Sequence, residues 1–467
     1  MATEHTTPTS ETVGPTNPRG RVIVASLIGT SIEFFDFYAY ATAAVLVFPS
    51  LFFTGADETS RLLASLAVFG VAFVARPVGS ILFGHFGDRI GRKGTLVGSL
   101  LLMGIATFLI GCLPTAHTPG WEFWAPALLV VMRFCQGLGL GGEWSGAALL
   151  ATENAPAGRR AVYGTFPQLG APIGFILANG VFVVLSLALS PAQFQQWGWR
   201  VPFLISIVLV AIGLYVRFKL IESPAFQKVL DAGEVAQVPL VRAFRTAWRP
   251  MLLGTFIMLA TYVLFYMMTT FTMTYGTTPA TVDAARAAAE AAGRPFDPAG
   301  FLPGLGYSRT DFLTMLIIGV VFFGVFTLVA GPLAERLGRR RLLIGVTAAI
   351  AVFGLVFSTL FDAGTVGVMA GLVVGLSLMG LTFGPMGAVL PELFATSVRY
   401  TGSAISYNVA SILGAAVAPT IFVALWAAAD GSVFWVGAYL TATALITLVA
   451  LLLSRDTGDV DYTSRTR

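Results

Sequence analysis

Five ionisable side chains stand inside long apolar runs of this chain: Glu33, Asp36, Arg76, Arg133 and Glu143. Each costs several kcal/mol if buried without compensation, so each has either a structural partner or work to do. Glu33, Asp36 and Tyr40 follow one another at spacings of three and four, which lines them along one helix face. A carboxyl group so placed either carries a proton beside an aqueous cavity or makes a structural hydrogen bond near the headgroups, and both readings stand for Glu33 and Asp36. Arg76 offers a planar, permanently charged fork suited to a carboxylate, whether a substrate's or that of Asp36 or Glu33. Arg133 opens the run Arg133-Phe134-Cys135-Gln136-Gly137-Leu138-Gly139-Leu140-Gly141-Gly142-Glu143-Trp144-Ser145-Gly146. Ten residues leave Arg133 and Glu143 about 80° short of a shared helix face, so Arg133 is free to turn toward the first apolar run. A membrane arginine beside a carboxylate favours its charged form, and replacing the pair reverses that preference, which is the physics of a proton switch. Glu33, Asp36, Arg133 and Glu143 are accordingly the candidate proton-coupling residues.

The second half of the chain has no charge clearly at mid-membrane depth and offers neutral groups instead. Tyr262 and Tyr266 share a helix face, as a stacking or hydroxyl-donating wall would, although ordinary packing explains them equally well. Tyr407 and Asn408 lie on a later span, and Pro385 breaks the one before it. Candidate substrate contacts are thus Tyr40, Arg76, Gln136 and Gln168 from the first half and Tyr262, Tyr266, Tyr407 and Asn408 from the second.

The elements that must carry these residues are membrane helices. At 56% hydrophobic and 11% charged over 467 residues, with a mean hydropathy of +0.80, the chain has more apolar surface than a soluble domain hides. Runs long enough for a span of roughly 20 residues fall near 22–48, 62–83, 94–113, 124–150, 161–188 and 201–218, then near 250–275, 311–332, 342–361, 365–390, 400–427 and 433–453. With both ends in the cytoplasm, 21 of the 28 Lys and Arg fall on the inner side, and the outer side holds only Arg61, Arg200, Arg286, Arg294 and Arg309. That asymmetry sets the orientation, and it accounts for the net charge of +4 without any nucleic-acid partner.

Two stretches recur. Gly84-His85-Phe86-Gly87-Asp88-Arg89-Ile90-Gly91-Arg92-Lys93 reads as a charged, glycine-rich cytoplasmic turn, and Gly331-Pro332-Leu333-Ala334-Glu335-Arg336-Leu337-Gly338-Arg339-Arg340-Arg341 repeats it 247 residues later. Glu392 to Arg399 repeats Glu153 to Arg160 at an offset of 239 residues, and these acids and arginines are read as braces of inner loops. A chain that repeats its loops at half its length is two fused copies. The organisation expected is a disordered tail at 1–20, a six-helix bundle at 21–218, a polar linker at 219–249, a second bundle at 250–453 with an extended outer loop at 276–308, and a C-tail at 454–467. Residues 280–292 are alanine-rich and suit a short surface helix. The tail lacks the basic n-region of a cleaved signal. Cys112 and Cys135 suggest no disulfide scaffold, and three scattered histidines form no metal-ligand set. Trp197-Gly198-Trp199-Arg200 suits an interfacial belt, with Arg200 as an anchor.

The repeated loops, the six-plus-six spans and the arginine-led fourth span resemble the major facilitator superfamily over nearly the whole chain. Within it, Gly84 to Lys93, the run Gly141 to Ala148, Trp197 to Phe203 and Glu222-Ser223-Pro224 look like the metabolite:proton symporter family, nearest its shikimate-like branch beside the 2-oxoglutarate and proline-betaine carriers. The resemblance implies an all-α membrane fold of two pseudo-symmetric six-helix bundles around a central cavity, with alternating access. It implies a gating motif of Gly84, Gly87, Asp88, Arg89, Gly91, Arg92 and Lys93, with Asp88 and Arg92 latching the inner side, repeated by Glu335, Arg336 and Arg339. Glu335 departs from the family's usual aspartate, and its longer side chain is expected to weaken the second latch.

The reading that follows is a proton-coupled importer of a small carboxylate-bearing metabolite in the cell's inner membrane. It acts as a monomer with both termini cytoplasmic, is driven by the proton gradient and uses no cofactor or metal. Its partners are the substrate, protons and the lipid bilayer. A facilitator or proton antiporter is the alternative within transport, and a non-transporting membrane sensor is the alternative outside it. An enzyme is excluded by the lack of a HExxH helix or a Ser-His-Asp set.

Overall fold

Lipid offers no hydrogen bonds to the backbone, so an apolar chain crosses it as helices that satisfy themselves. The computed structural model describes residues 19–54, 58–90, 92–153, 155–156, 158–218, 239–291, 296, 298, 301–394 and 398–456, and among them it is all helix and turn. Ten helical stretches are long and apolar enough to cross a membrane. Two more complete a set of twelve: Arg19–Leu46, whose carboxyl groups lower its apolarity, and Arg92–Cys112, whose apolar portion is shorter.

In chain order these are α1 (Arg19–Leu46), α2 (Glu58–Ile90), α3 (Arg92–Cys112), α4 (Trp124–Leu140 continued by Glu143–Glu153), α5 (Arg160–Gln168 continued by Gly170–Ala188) and α6 (Val201–Phe218). The second set is α7 (Pro239–Tyr266, a π-helical turn at Met267–Phe271, then Thr272–Thr277), α8 (Arg309–Leu337), α9 (Arg339–Asp362), α10 (Gly364–Phe383 continued by Met386–Glu392), α11 (Arg399–Ser411, a π-helical turn at Ile412–Ala416, then Ala418–Ala428) and α12 (Phe434–Leu453). Packing partners repeat six helices on: α1 with α5 as α7 with α11, α2 with α4 as α8 with α10, α3 with α6 as α9 with α12. The halves meet where α2 lies on α11 and α5 on α8, a reciprocal pairing that fits a duplicated chain.

The glycine-rich stretches differ from the expected loops. α2 stays helical through Ile90 and α3 starts at Arg92, while the side chains from Gly84 to Lys93 lie outside the described residues. α8 likewise runs to Leu337, and a single residue, Gly338 at φ 87° and ψ 136°, turns the chain into α9. Charged side chains continue a helix into water more readily than they unwind it, so the turn contracts to the one position where a Cβ is excluded. Pro385 breaks α10 as expected, and Val282–Ala291 is an exposed surface helix. Trp199 is fully buried against Phe48, Phe52 and Phe203 rather than interfacial, and Arg200 donates to the carbonyls of Gly111 and Leu113 at 2.7 and 2.5 Å, capping α3.

Gly338→Ala forces an L side chain into that backbone region and is expected to cost about 1–3 kcal/mol of stability, measured as a lower midpoint in mixed-micelle denaturation. An unchanged midpoint contradicts the turn geometry.

Candidate functional site

At the meeting of the halves a narrow cavity of about 20 Å³ remains, room for one water. α1 contributes Phe34 and Tyr38, α2 contributes Arg76, and α7 contributes Thr261, Tyr262, Phe265 and Tyr266, with Phe323, Phe383 and Tyr407 closing the far side. Arg76 is the one charged side chain among these described lining residues. Its guanidinium lies 4.9 Å from the Phe73 ring centre and 5.2 Å from that of Phe37, Nε has no hydrogen-bond acceptor, and the charge of Glu33 acts on it. Tyr262 faces Tyr407 at 5.4 Å between ring centres. The walls are therefore aromatic faces and hydroxyls around one cation.

Behind this wall lies a second polar set. Arg133 is fully buried, with its guanidinium 4.0 Å from the ring centre of Tyr40, 4.7 Å from Phe37 and 4.9 Å from Phe69. Arg133 Nη1 donates to Gln136 Oε1 at 3.0 Å, and Gln136 Nε2 donates to the Thr107 hydroxyl at 2.7 Å. Thr107 in turn lies beside Asp36 and gives its own hydrogen to the Met103 carbonyl at 3.0 Å. Neither Asp36 oxygen accepts a hydrogen bond. A carboxylate left in that state bears several kcal/mol of desolvation cost, which a proton or a hydrogen-bond donor would relieve. Glu143 is buried in the first turn of the second segment of α4, where a carboxylate suits the helix dipole.

The end that carries the termini is shut by contacts between halves. Trp144 stacks on Tyr407 with ring centres 3.8 Å apart and planes 6° from parallel. Trp144 Nε1 donates to Gln168 Oε1 at 2.9 Å, and Gln168 Nε2 donates to the Phe383 carbonyl at 2.9 Å. Asn408 Nδ2 donates to the Ser80 hydroxyl at 2.7 Å, Ser80 donates to the Gly141 carbonyl, and Tyr400 donates to the Gly142 carbonyl at 2.8 Å. Glu335 accepts from the Ala161 N–H at the start of α5 at 2.6 Å and lies 3.6 Å from Arg339, which pairs with Glu392 at 2.5 Å. The longer glutamate thus reaches across the interface, while Arg336 is exposed at the end of α8. At the opposite end Arg309 donates to the Leu46 carbonyl at 3.2 Å and covers the Phe194 ring at 4.9 Å.

The expected site residues therefore separate into three groups. Arg76, Tyr262, Tyr266 and Tyr407 line the cavity; Asp36, Tyr40, Gln136 and Arg133 form the set behind it; Gln168, Asn408, Glu335 and Arg339 tie the halves together. Tyr40, Gln136, Gln168 and Asn408 lie outside the cavity lining: the Arg133 guanidinium covers the Tyr40 ring, and the amides of Gln136, Gln168 and Asn408 bond respectively to Arg133 and Thr107, to Trp144 and the Phe383 carbonyl, and to the Ser80 hydroxyl. Glu33 is buried near Arg76, whereas Gly84, Gly87, Asp88, Arg89, Gly91, Arg92 and Lys93 fall outside the residues whose side chains are described. Tyr38, Phe37, Thr107, Trp144 and the Thr261–Thr382 hydroxyl pair at 2.9 Å were not read from sequence as functional. Only Trp144 carried a signal, its place in the Arg133-led run.

A narrow cavity between two pseudo-symmetric six-helix bundles is the architecture of a transporter of the major facilitator type. The model of the family described as "Sugar (and other) transporter" matches residues 21–238 and 300–454, and the chain belongs to that family. It is 56% identical to the inner membrane metabolite transport protein YhjE of Escherichia coli strain K12 over 95% of this chain and 96% of that one. It is 34% identical to the shikimate transporter of the same strain, over 93% and 94% of the two chains, and 31% identical to its proline/betaine transporter, over 94% and 84%. Among solved structures a D-xylose-proton symporter superposes with a TM-score of 0.68 at 18% identity, covering 94% of this chain and 98% of its own. The protein is a multi-pass membrane transporter of metabolites and no enzyme.

Glu335→Gln removes the charge that caps α5 and pairs with Arg339. We expect a cysteine at the cavity wall (Ala171→Cys) to be labelled from the terminus-bearing side severalfold faster in that background, in keeping with a charge-assisted bond of about 1.5–3 kcal/mol. Equal labelling rates dismiss Glu335 as a latch.

Proposed function

We propose that this transporter imports a small carboxylate-bearing metabolite together with protons, by alternating access across the inner membrane, as a monomer with both termini in the cytoplasm. Arg76 carries the reading: a guanidinium in the wall of a narrow aromatic cavity, with a donor still open, is the complement of a substrate carboxylate. Tyr262, Tyr266 and Tyr407 then hold the substrate's body. Shikimate, proline and betaine, named for two of the relatives, all bear a carboxylate.

Asp36 carries the proton, with Glu33 and Glu143 as further acidic groups on the path. Arg133 sets the field at Asp36 through Gln136 and Thr107. A proton on Asp36 removes the cost of an unsatisfied buried carboxylate, which favours the closed state, and opening to the cytoplasm releases it. The rocking bodies are the bundles at 21–218 and 250–453, joined by the linker at 219–249, and the stretch from Gly84 to Lys93 latches the first as Glu335 and Arg339 latch the second. No cofactor takes part, because the proton gradient supplies the energy.

Proteoliposomes loaded with a pH dye and given shikimate, 2-oxoglutarate, citrate, benzoate, proline or betaine test this. One compound is expected to enter with acidification of the lumen; entry without a pH change identifies a facilitator, and alkalinisation an antiporter. Asp36→Asn is expected to abolish gradient-driven accumulation while counterflow exchange persists, and unchanged accumulation removes Asp36 from the proton path. Arg76→Lys, which keeps the charge and loses the fork, should raise KM about tenfold or more, the scale of one lost charge-assisted bond.

A further inference from the structure

The two membrane arginines share one aromatic ring. The centre of the Phe37 ring lies 5.2 Å from the Arg76 guanidinium carbon and 4.7 Å from that of Arg133, and Phe37 is 2% exposed. Each arginine has rings of its own, Phe73 for Arg76 and Tyr40 with Phe69 for Arg133. Phe37 alone among these described contacts belongs to both. The two Phe37 distances put the guanidinium carbons within about 10 Å of each other, and in a water-poor interior the repulsion between like charges is weakly screened. A ring presents negative faces to a cation, and the attraction is strongest where water is excluded.

Place in the chain adds a second argument. Phe37 follows Asp36, the proposed proton carrier, and precedes Tyr38, which lines the cavity, so one turn of α1 carries the acid, the shared ring and the wall. The charged and titratable groups around the ring are Arg76 from α2, Arg133 from α4, Tyr266 from α7 at 6.5 Å between ring centres, and Asp36, Tyr38 at 5.7 Å and Tyr40 from α1, with Glu33 acting on Arg76.

We propose that Phe37 is the positioning residue that couples the substrate site to the proton site, an inference that rests on the proton-symport reading above. An anionic group bound at Arg76 neutralises one of the two cations that share the ring. The repulsion felt by Arg133 falls and the ring becomes available to it, so Arg133 and its bonded partners Gln136 and Thr107 resettle against Asp36. Occupancy is thereby transmitted without contact between substrate and acid.

The test uses the full chain in proteoliposomes, with the same six compounds as probes, following the one that the wild type accumulates. Phe37→Leu keeps much of the volume and removes the ring. We expect its counterflow exchange to fall no more than about threefold while gradient-driven accumulation and substrate-dependent proton entry fall about tenfold or more, the scale of a desolvated cation–π contact, and we expect Phe37→Tyr to restore both. An unchanged ratio of accumulation to exchange in Phe37→Leu overturns the proposal. So does a parallel loss of exchange and accumulation that Phe37→Tyr does not rescue, since that is the mark of packing alone. A wild type that takes up a probe with no proton entry overturns the symport reading itself, and this inference with it, before any variant is made.

Discussion

A cation buried where, among the described residues, no carboxylate comes within bonding distance is the constraint around which this structure is arranged. Arg133 is fully buried between α1, α2 and α4, and its compensation is one side-chain amide, one backbone carbonyl and three aromatic faces. Aromatic faces stabilise a desolvated guanidinium without fixing a partner as an ion pair does. They leave the charge available to whatever acid changes its protonation or position nearby. Phe37, Tyr40, Phe69 and Phe73 are in this sense an electrostatic medium as much as a core, and the density of rings near Arg76 and Arg133 follows from the charges they must accommodate.

The closed state depends on a different kind of contact. Across the interface between halves many of the described bonds end on backbone carbonyls or N–H groups: Phe383, Gly141, Gly142, Ala161 and Leu46. Small residues let the backbones come this close. A Cβ on Gly387 would stand 2.5 Å from the carbonyl oxygen of Gly164. Such an interface is specific in register yet modest in strength, because each net hydrogen bond contributes only about 0.5–1.5 kcal/mol. Two states of comparable free energy are what alternating access requires.

Sequence alone made the helices and the duplication legible, since period and loop motif are local properties of the chain. The buried acids and arginines were legible for the same reason: a charge in an apolar run announces itself. What stayed hidden was partnership. Nothing in the spacing of Tyr40 and Gln136 indicates that Arg133 takes up both, and Thr107, an ordinary hydroxyl in an apolar run, becomes notable only when α3 brings it between Gln136 and Asp36. Gln168 and Asn408 looked like substrate contacts because polar side chains in a span demand partners; each bonds across to the other half, Gln168 to the Phe383 carbonyl and Asn408 to the Ser80 hydroxyl, which no pattern within one helix can reveal. The contraction of the glycine-rich turn to Gly338 was equally invisible, as it depends on how far a charged helix end extends before the chain must reverse.

The two π-helical turns, Met267–Phe271 in α7 and Ile412–Ala416 in α11, fall in the second half and on a pair of helices that pack together. The corresponding pair in the first half, α1 and α5, has no such turn among its described residues. A π turn holds one surplus residue in the hydrogen-bond ladder and can hand it along the helix, changing the local bend without breaking the backbone pairing. The duplicated halves have therefore diverged in backbone as well as in chemistry: one carries Asp36, Arg76 and Arg133 on its helices, and the other carries the π turns on the two helices that supply Tyr262, Tyr266 and Tyr407 to the cavity wall.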